Sequence, residues 1–165
     1  MFDFTFLFIQ GVGALGAAGD IYATVHKNDR RFMIVIAISS LIWAVHYALL
    51  GAWSAVVSDI LTSARYFGAL YFRKKLIAYA FMAFYVLCIP LTYETPIDIL
   101  PYFCGFISTY ALFFFQGIKM RSVFIIAHLA WILYASVEGS IPGIILNAIM
   151  IIGHIRTMLA IKRDP

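Results

Sequence analysis

Charged residues are scarce in this sequence. Only 12% of its 165 residues are Asp, Glu, Lys or Arg, whereas 64% are apolar. A chain with so few charges lacks the polar surface that a soluble globule requires. Continuous apolar runs of about 20 residues, the length that crosses a bilayer as a helix, recur along it. We therefore predict an integral membrane protein.

Other features that are missing narrow the class further. The apolar runs do not alternate with polar residues, which argues against membrane-spanning strands and for an all-α bundle. Cys88 and Cys104 have no CxxC spacing and lie among apolar residues, which indicates packing rather than redox or metal chemistry. The first segment, "MFDFTFLFIQ", has no basic stretch before it, so we expect it to be retained. No nucleophile and base recur together, so we predict that the chain is not an enzyme. We also expect no bound cofactor or metal, because His46, His128 and His154 lie at different depths in their predicted helices.

The apolar runs divide into seven predicted membrane helices. Their limits fall at about 4–24, 31–50, 54–73, 76–92, 97–117, 120–137 and 142–162.

The basic residues predict how these helices are oriented. They fall in alternate loops and at the tail: His26, Lys27, Arg30 and Arg31; Arg73, Lys74 and Lys75; Lys119 and Arg121; and Lys162 and Arg163. The intervening loops carry only the acidic Glu94, Asp98 and Glu138. Because Lys and Arg collect on the cytoplasmic side, the N-terminus is predicted outside and the C-terminus in the cytoplasm. The formal net charge of +4 then reflects topology and not nucleic-acid binding.

Two windows of the sequence indicate an internal repeat. "SLIWAVHYALLGAWSA" at 40–55 and "HLAWILYASVEGSIPG" at 128–143 each place a Trp eight residues before a Gly. A shift of 88 residues aligns Trp43 with Trp131, Gly51 with Gly139, Asp59 with Asn147, Tyr66 with His154, and Lys74 with Lys162. The prediction is a 3+1+3 arrangement, with one three-helix bundle in 1–75, a linker helix in 76–92 and a second bundle in 93–165. The two halves would be parallel and related by an axis along the membrane normal.

Polar residues form stripes on several predicted helices. Spacings of three and four bring together Trp43, His46 and Tyr47 on the second helix and His128, Trp131 and Tyr134 on the sixth. Asp59 and Asn147 lie at equivalent positions of the third and seventh helices, roughly 8 Å from the outer side at 1.5 Å per residue. Because unpaired polar groups are costly in hydrocarbon, we expect these stripes to face a wet interior, where all eight side chains would bind the substrate.

These residues carry a family resemblance. A Trp followed sixteen residues later by Asp59 or Asn147 resembles the Trp and Asn pair of SWEET sugar transporters. Four segments are similar to sequences of the YgjV family of bacterial inner membrane proteins, a branch of the same superfamily: "RRFM", "WAVHYALLGA", "HLAWILYA" and "GSIPGIILN". The resemblance implies a SWEET-like fold with a central pathway lined by Trp43, Trp131, Asp59 and Asn147. SWEET proteins also have a proline in the first helix of each bundle. In this sequence the first helix of the first bundle has no proline. The first helix of the second bundle, which is the fifth helix, has Pro101, and this residue aligns with Gly13.

Several of these residues have two interpretations. The tryptophans either line the pathway or fill space between helices, and Asp59 is either a proton carrier or a structural hydrogen-bond partner. Asp20 and Arg65 are interpreted as an ion pair or gate tether, with inward snorkelling of Arg65 or its contact with the substrate as the alternatives. Gly13, Gly16 and Gly19, spaced by three, permit close helix packing or a sliding surface.

The function predicted from the sequence is transport of a small polar solute, sugar-like or sugar-acid-like, across a bacterial-type inner membrane. Alternating access would move the solute, and Asp59 would link the movement to protons. The alternatives are a receptor or scaffold on the same fold and a haem-binding electron carrier using His46, His128 and His154. Expected partners are the solute and the bilayer, with the chain as a monomer or homodimer.

Overall fold

The computed structural model describes residues 3–25, 29–72 and 75–163, and its regular structure there is entirely helical. Seven long helices follow one another: α1 (Phe4–Val25), α2 (Asp29–Leu50), α3 (Trp53–Tyr71), α4 (Lys75–Thr92), α5 (Ile99–Phe114), α6 (Gly117–Val137) and α7 (Ile141–Arg163). All limits agree with the predicted ones to within three residues. The predicted helix 97–117 is shortened at both ends, since a short 3-10 turn, Pro96–Asp98, precedes α5 and the helix stops at Phe114.

Two tight turns of the same type end α2 and α6. Gly51 and Gly139, which are 88 residues apart, have positive φ angles of 80° and 71°. The amide that follows each glycine bonds back to a carbonyl five residues earlier, Ala52 to Tyr47 at 2.9 Å and Ser140 to Ala135 at 2.9 Å. This is the Schellman arrangement, in which glycine adopts the left-handed conformation without a Cβ clash. The Trp-to-Gly spacing of the two sequence windows thus measures the distance from a tryptophan to the end of its helix.

Six of the seven described helices are long and apolar enough to cross a membrane. The exception is α3, which carries Asp59, Arg65 and three serines along 19 residues. Both charged side chains of α3 are buried, with exposed fractions of 9% for Asp59 and 4% for Arg65. The low hydropathy of α3 therefore comes from side chains that face protein and not from a water-exposed surface.

The two ends of the bundle differ in charge. One end, here called the acidic end, holds the turns at 51–52 and 138–140 and the segment 93–98, with Glu94, Asp98 and Glu138. The opposite end, called the basic end, holds Arg30, Arg31, Lys75, Lys119, Arg121, Lys162 and Arg163. Four basic residues named in the sequence-based orientation, His26, Lys27, Arg73 and Lys74, lie outside the described residues.

The helices form a ring around a central space. Neighbouring contacts run from α1 to α2, α2 to α3, α3 to α5, α5 to α6, α6 to α7 and α7 back to α1. The remaining helix, α4, lies against α3 and α5. Tyr85 of α4 is fully buried, and its hydroxyl shares a 2.9 Å hydrogen bond with Thr62 of α3. Its ring covers Gly105 of α5, so one side chain joins α4 to both neighbours.

Candidate functional site

The ring encloses a cavity of about 650 Å³, a volume within the usual range for small-molecule sites. Its lining reaches the first turns of α2 and α6 at the basic end, at Phe32 and Met120, and extends to Tyr47 and Gly143 toward the acidic end. Six of the eight side chains that the sequence predicted to bind substrate contribute to the lining: Trp43, Tyr47, Asp59, His128, Trp131 and Asn147. Asp20 and Arg65 line it as well.

Four of the lining residues share one depth. Trp43, Asp59, Trp131 and Asn147 each lie six or seven residues from the acidic-end terminus of their helix. At 1.5 Å per residue this is about 9–11 Å. The level is the same because the two halves place equivalent residues at equivalent distances from the Gly51 and Gly139 turns.

Three aromatic rings close the cavity toward the acidic end. Tyr47 stacks between two tryptophans, with ring centroids 5.9 Å from Trp43 and 5.8 Å from Trp131 and interplanar angles of 28° and 27°. The ring of Tyr134 meets Tyr47 nearly edge-on at 5.9 Å. Offset-stacked and edge-to-face pairs of this kind are favourable beyond the area that they bury. The stack joins α2 to α6, which belong to opposite halves of the chain.

Small residues of α1 let the polar stripe of α2 pack against it. A Cβ at Gly13 would lie 2.8 Å from the His46 ring, and one at Gly16 would lie 3.0 Å from the Trp43 indole. Gly19 faces Ser39 in the same way. The glycine spacing thus provides room for side chains of α2, which is the tight-packing interpretation of the sequence pattern.

The predicted ion pair between Asp20 and Arg65 is not formed. Asp20 instead accepts a 2.9 Å hydrogen bond from the indole Nε1 of Trp43. Arg65 donates from Nη1 to Thr109 at 2.6 Å and lies over the Tyr66 ring, 5.0 Å from its centroid. Asp20 and Arg65 therefore each bond to a residue of a neighbouring helix, and the sequence alone did not identify either partner.

Two histidines and an amide form a network on the opposite wall. Nδ1 of His128 donates to Oδ1 of Asn147 at 2.7 Å, while the amide nitrogen of Asn147 donates to the carbonyl of Gly143 at 2.7 Å. The His128 and His154 rings stack with centroids 5.3 Å apart, and both line the cavity. Sequence reasoning treated these histidines as lying at different depths and missed the pair. His128 lies on α6 and His154 lies 26 residues later on α7. These helices are antiparallel neighbours, and their packing brings the two rings together.

His46 and Tyr134 were predicted to line the cavity but lie behind its wall at the acidic end. His46 donates from Nδ1 to the carbonyl of Ile9 at 2.9 Å, and its Nε2 accepts from the Ser140 hydroxyl at 2.7 Å. Gln10 of α1 donates to the carbonyl of Gly139 at 3.0 Å and accepts from the amide two residues later at 3.0 Å. The first half of the chain thereby holds the turn between α6 and α7.

A second set of contacts also joins the halves, here between α3 of the first half and α6 and the segment before α5 of the second. The Tyr134 hydroxyl donates to Ser54 at 2.8 Å, and Ser54 donates to Asp98 at 2.9 Å. We call the six side chains of these two sets the closing layer: Gln10, His46, Ser54, Asp98, Tyr134 and Ser140. Sequence reasoning missed Gln10, Ser54, Asp98 and Ser140. The 88-residue offset aligns Gln10 with Asp98 and His46 with Tyr134, so the predicted repeat contained a signal for this layer.

Electrostatics at the acidic end shift the pKa of Glu138, which lies outside the helices. Glu138 is half-buried in the turn between α6 and α7, and burial together with the nearby charge of Asp98 raises the pKa of its carboxyl. Within residues 3–25, 29–72 and 75–163, no three His, Cys, Asp or Glu side chains converge as metal ligands would.

Comparison with known proteins gives consistent results. The profile of a family described as "Imp-YgjV: Bacterial inner membrane protein" matches residues 7–164. The chain is 29% identical over 134 residues to "Inner membrane protein YgjV" of Escherichia coli (strain K12), which covers 81% of this chain and 73% of that relative. No solved structure matches the chain.

Proposed function

Because this chain belongs to the YgjV family of bacterial inner membrane proteins, we propose that it is a multi-pass transporter that moves a compact polar solute by alternating access. One observation carries the proposal. A cavity of about 650 Å³, with polar and aromatic side chains in its lining, lies between the two halves of the chain; it reaches the first helical turns at the basic end and is closed at the acidic end by side chains from both halves. A central site that is closed on one side is the arrangement on which alternating access operates.

The proposal includes seven membrane crossings, with the N-terminus outside. The basic residues collect at one end of the bundle, which is the distribution expected of cytoplasmic loops. The helix that falls short in hydropathy, α3, directs Asp59 and Arg65 into the cavity and not into lipid. In this orientation the cavity is open to the cytoplasm and closed toward the outside.

Two-fold internal symmetry supports movement of one half against the other. Exchanging α1, α2 and α3 with α5, α6 and α7 reproduces the same ring of helix contacts. Residues 88 apart also line the cavity in pairs, among them 20 with 108, 40 with 128, 43 with 131, 59 with 147 and 66 with 154. A site built from equivalent positions is exposed to either side by a small rocking of the halves.

The lining suits a compact polar solute, the class that includes the sugars and sugar acids expected from the sequence. Trp43, Tyr47 and Trp131 provide apolar faces, and Asp59 and Asn147 provide hydrogen-bonding groups at the same depth. Asp59 is the proposed site of proton coupling because a carboxylate buried in the membrane is a functional group by default. If it carries the proton, uptake by Asp59→Asn loses the dependence on a pH gradient that the wild type shows.

The first experiment is a thermal-stability screen of the purified protein against sugars, sugar acids, amino acids and other small polar compounds. A compound that binds only the folded state stabilises that state, by about 2.7 kcal/mol at one hundred times its Kd. The melting temperature rises as a result. We expect the stabilisation to be lost in Trp43→Ala and Asp59→Asn. Trp53→Ala is the matched control, because Trp53 is exposed at the acidic end and does not line the cavity.

Uptake of the stabilising compound into proteoliposomes then tests transport itself. Uptake that fails in Trp43→Ala and persists in Trp53→Ala supports the proposal. Binding without uptake contradicts transport and favours a receptor on the same fold. Stabilisation that survives both cavity substitutions contradicts the proposed site.

A further inference from the structure

Three buried polar atoms of the cavity have no hydrogen-bond partner within the described part of the chain. They are Oδ2 of Asp59, Nε of Arg65 and Nε of Arg121, and all three residues belong to the lining. Asp59 and Arg65 are both more than nine-tenths buried. A buried charged group without its partner costs several kcal/mol, so these atoms indicate what a bound solute supplies.

Two acidic groups line the cavity near Trp43. Asp59 interacts electrostatically with Asp20, which accepts hydrogen bonds from the Trp43 indole and the Ser39 side chain. Two carboxylates facing a shared space repel each other unless a cation or proton lies between them. Trp43 and Trp131 line the same region, and the face of an indole attracts ammonium groups. This side therefore suits the positively charged end of a solute.

Basic groups gather nearer the basic end. Arg65 is fixed by Thr109 at one guanidinium nitrogen, which leaves its Nε edge free for a carboxylate. Arg121 contributes a second free Nε, and it interacts electrostatically with His154, whose ring stacks on His128. Four nitrogen-bearing side chains thus face the cavity where it opens, which suits the negatively charged end of a solute.

The two groups lie close enough for one compact solute to contact both. Asp59 and Arg65 are six residues apart on α3, which is about 9 Å along the axis at 1.5 Å per residue. An amino acid or a short betaine carries both charges within a compact molecule.

We propose that the solute is a zwitterion of the amino-acid type, with its ammonium group at Asp59 between the tryptophans and its carboxylate at Arg65 and Arg121. This inference rests on the proposed function in taking the central cavity as the solute site. A neutral sugar leaves both sets of charges without counter-charges, and a sugar acid satisfies only the arginines. A simple amine satisfies only the aspartates.

The test is a charge-matched panel on the full-length protein in nanodiscs. Alanine, leucine and phenylalanine are each compared with the corresponding amide, which lacks the carboxylate, and the corresponding deaminated acid, which lacks the ammonium group. Glucose and gluconate complete the panel. We expect amino acids to bind at least ten times more tightly than either derivative and than both sugars, measured by calorimetry and thermal shift.

Two variants identify which residue recognises which charge. Arg65→Gln is expected to lose the discrimination between an amino acid and its amide, whereas Asp59→Asn is expected to lose the discrimination between an amino acid and its deaminated acid. Arg156→Gln is the matched control, since Arg156 is exposed on α7 and outside the lining. Because the wild-type panel already compares charges, a variant that fails to fold leaves the proposal testable.

The outcomes separate this inference from the proposed function. Equal binding of amides or deaminated acids, preference for glucose or gluconate, or no binding of any amino acid overturns the zwitterion proposal. Uptake of a sugar that depends on Trp43 overturns it as well while leaving transport intact. Tight amino-acid binding without uptake into liposomes leaves the zwitterion proposal standing and overturns transport.

Discussion

The amide of Asn147 uses both of its ends in hydrogen bonds, one with His128 and one with the carbonyl of Gly143. Its equivalent in the first half, Asp59, has an oxygen without a partner. The same position in the two halves therefore has different roles. Asn147 stabilises contact between α6 and α7, while Asp59 retains bonding capacity for a solute.

We expect a double-mutant cycle between His128→Ala and Asn147→Ala to give a coupling energy of about 1 kcal/mol, the scale of hydrogen bonds between membrane helices. Unfolding in detergent with increasing dodecyl sulfate measures it. Asn147→Ala paired with Ser136→Ala is the control, because Ser136 bonds only to the Ile132 carbonyl of its own helix in the described contacts. A coupling energy near zero for His128 with Asn147 contradicts the network.

Glu138 gives a prediction for the dependence of stability on pH. Burial and the charge of Asp98 raise the pKa of Glu138 above 4.5, so the folded state binds its proton more tightly than the unfolded state does. The ionised carboxylate therefore destabilises the fold above that raised pKa, and the penalty disappears below pH 4.5.

Glu138→Gln removes this penalty. We expect the variant to be more stable than the wild type at pH 7 by about 0.5 kcal/mol, a small value because the side chain is half-exposed. The two melting temperatures should converge as the pH falls to 4. Glu94→Gln serves as the control because Glu94 is exposed in the neighbouring segment. An advantage of Glu138→Gln that persists at pH 4 contradicts this explanation.

At the scale of helices, close approach between α4 and α5 depends on Gly105. A Cβ at that position would overlap the ring of Tyr85, which is fully buried and bonded to Thr62. The ring cannot move aside without breaking that hydrogen bond. Gly105 therefore determines how α4 attaches to the ring of helices.

We expect Gly105→Ala to destabilise the protein by about 1–3 kcal/mol, the usual cost of overpacking. Gly153→Ala is the matched control, because a Cβ there meets nothing within 4 Å and alanine is the better helix former. The control should be as stable as the wild type or more so in the same unfolding assay. Equal stability of the two variants would show that α4 packs differently.

At the scale of the whole molecule, the closing layer is one place where the two halves are held together, at the acidic end. Its hydrogen bonds link residues far apart in the chain, such as Gln10 with Gly139 and Ser54 with Tyr134. If the halves rock, these bonds must break when the cavity opens toward the acidic end. A covalent bond across the layer therefore separates binding from transport.

A cysteine pair at Ser54 and Asp98 provides that bond, since the Ser54 hydroxyl and the Asp98 carboxylate are 2.9 Å apart. We expect cross-linked Ser54→Cys/Asp98→Cys, made with Cys88 and Cys104 replaced, to lose at least nine-tenths of its uptake and to keep solute binding. A reducing agent should restore uptake. The two single-cysteine variants are the controls. Full uptake by the cross-linked protein contradicts alternating access through this layer.

The sequence by itself determined that the chain is a helical membrane protein, and it located the seven helices to within a few residues. Hydropathy and charge decide these properties because transfer from water to lipid depends on each segment's own side chains. The 88-residue offset also identified Trp43, Asp59, Trp131 and Asn147 as a set, and these residues share one depth because each lies six or seven residues from a helix end.

Only the tertiary structure decided which neighbour each polar side chain meets. Spacings of three and four placed Trp43, His46 and Tyr47 on one side of α2, yet Trp43 and Tyr47 line the cavity whereas His46 lies behind it. Asp20 likewise bonds to Trp43 and not to Arg65, which the spacing of residues along α1 did not indicate. Lipid and a protein core are equally apolar, so hydropathy cannot give the rotation of a membrane helix about its axis. Contacts such as those of Gly13 and Gly16 with α2 set that rotation.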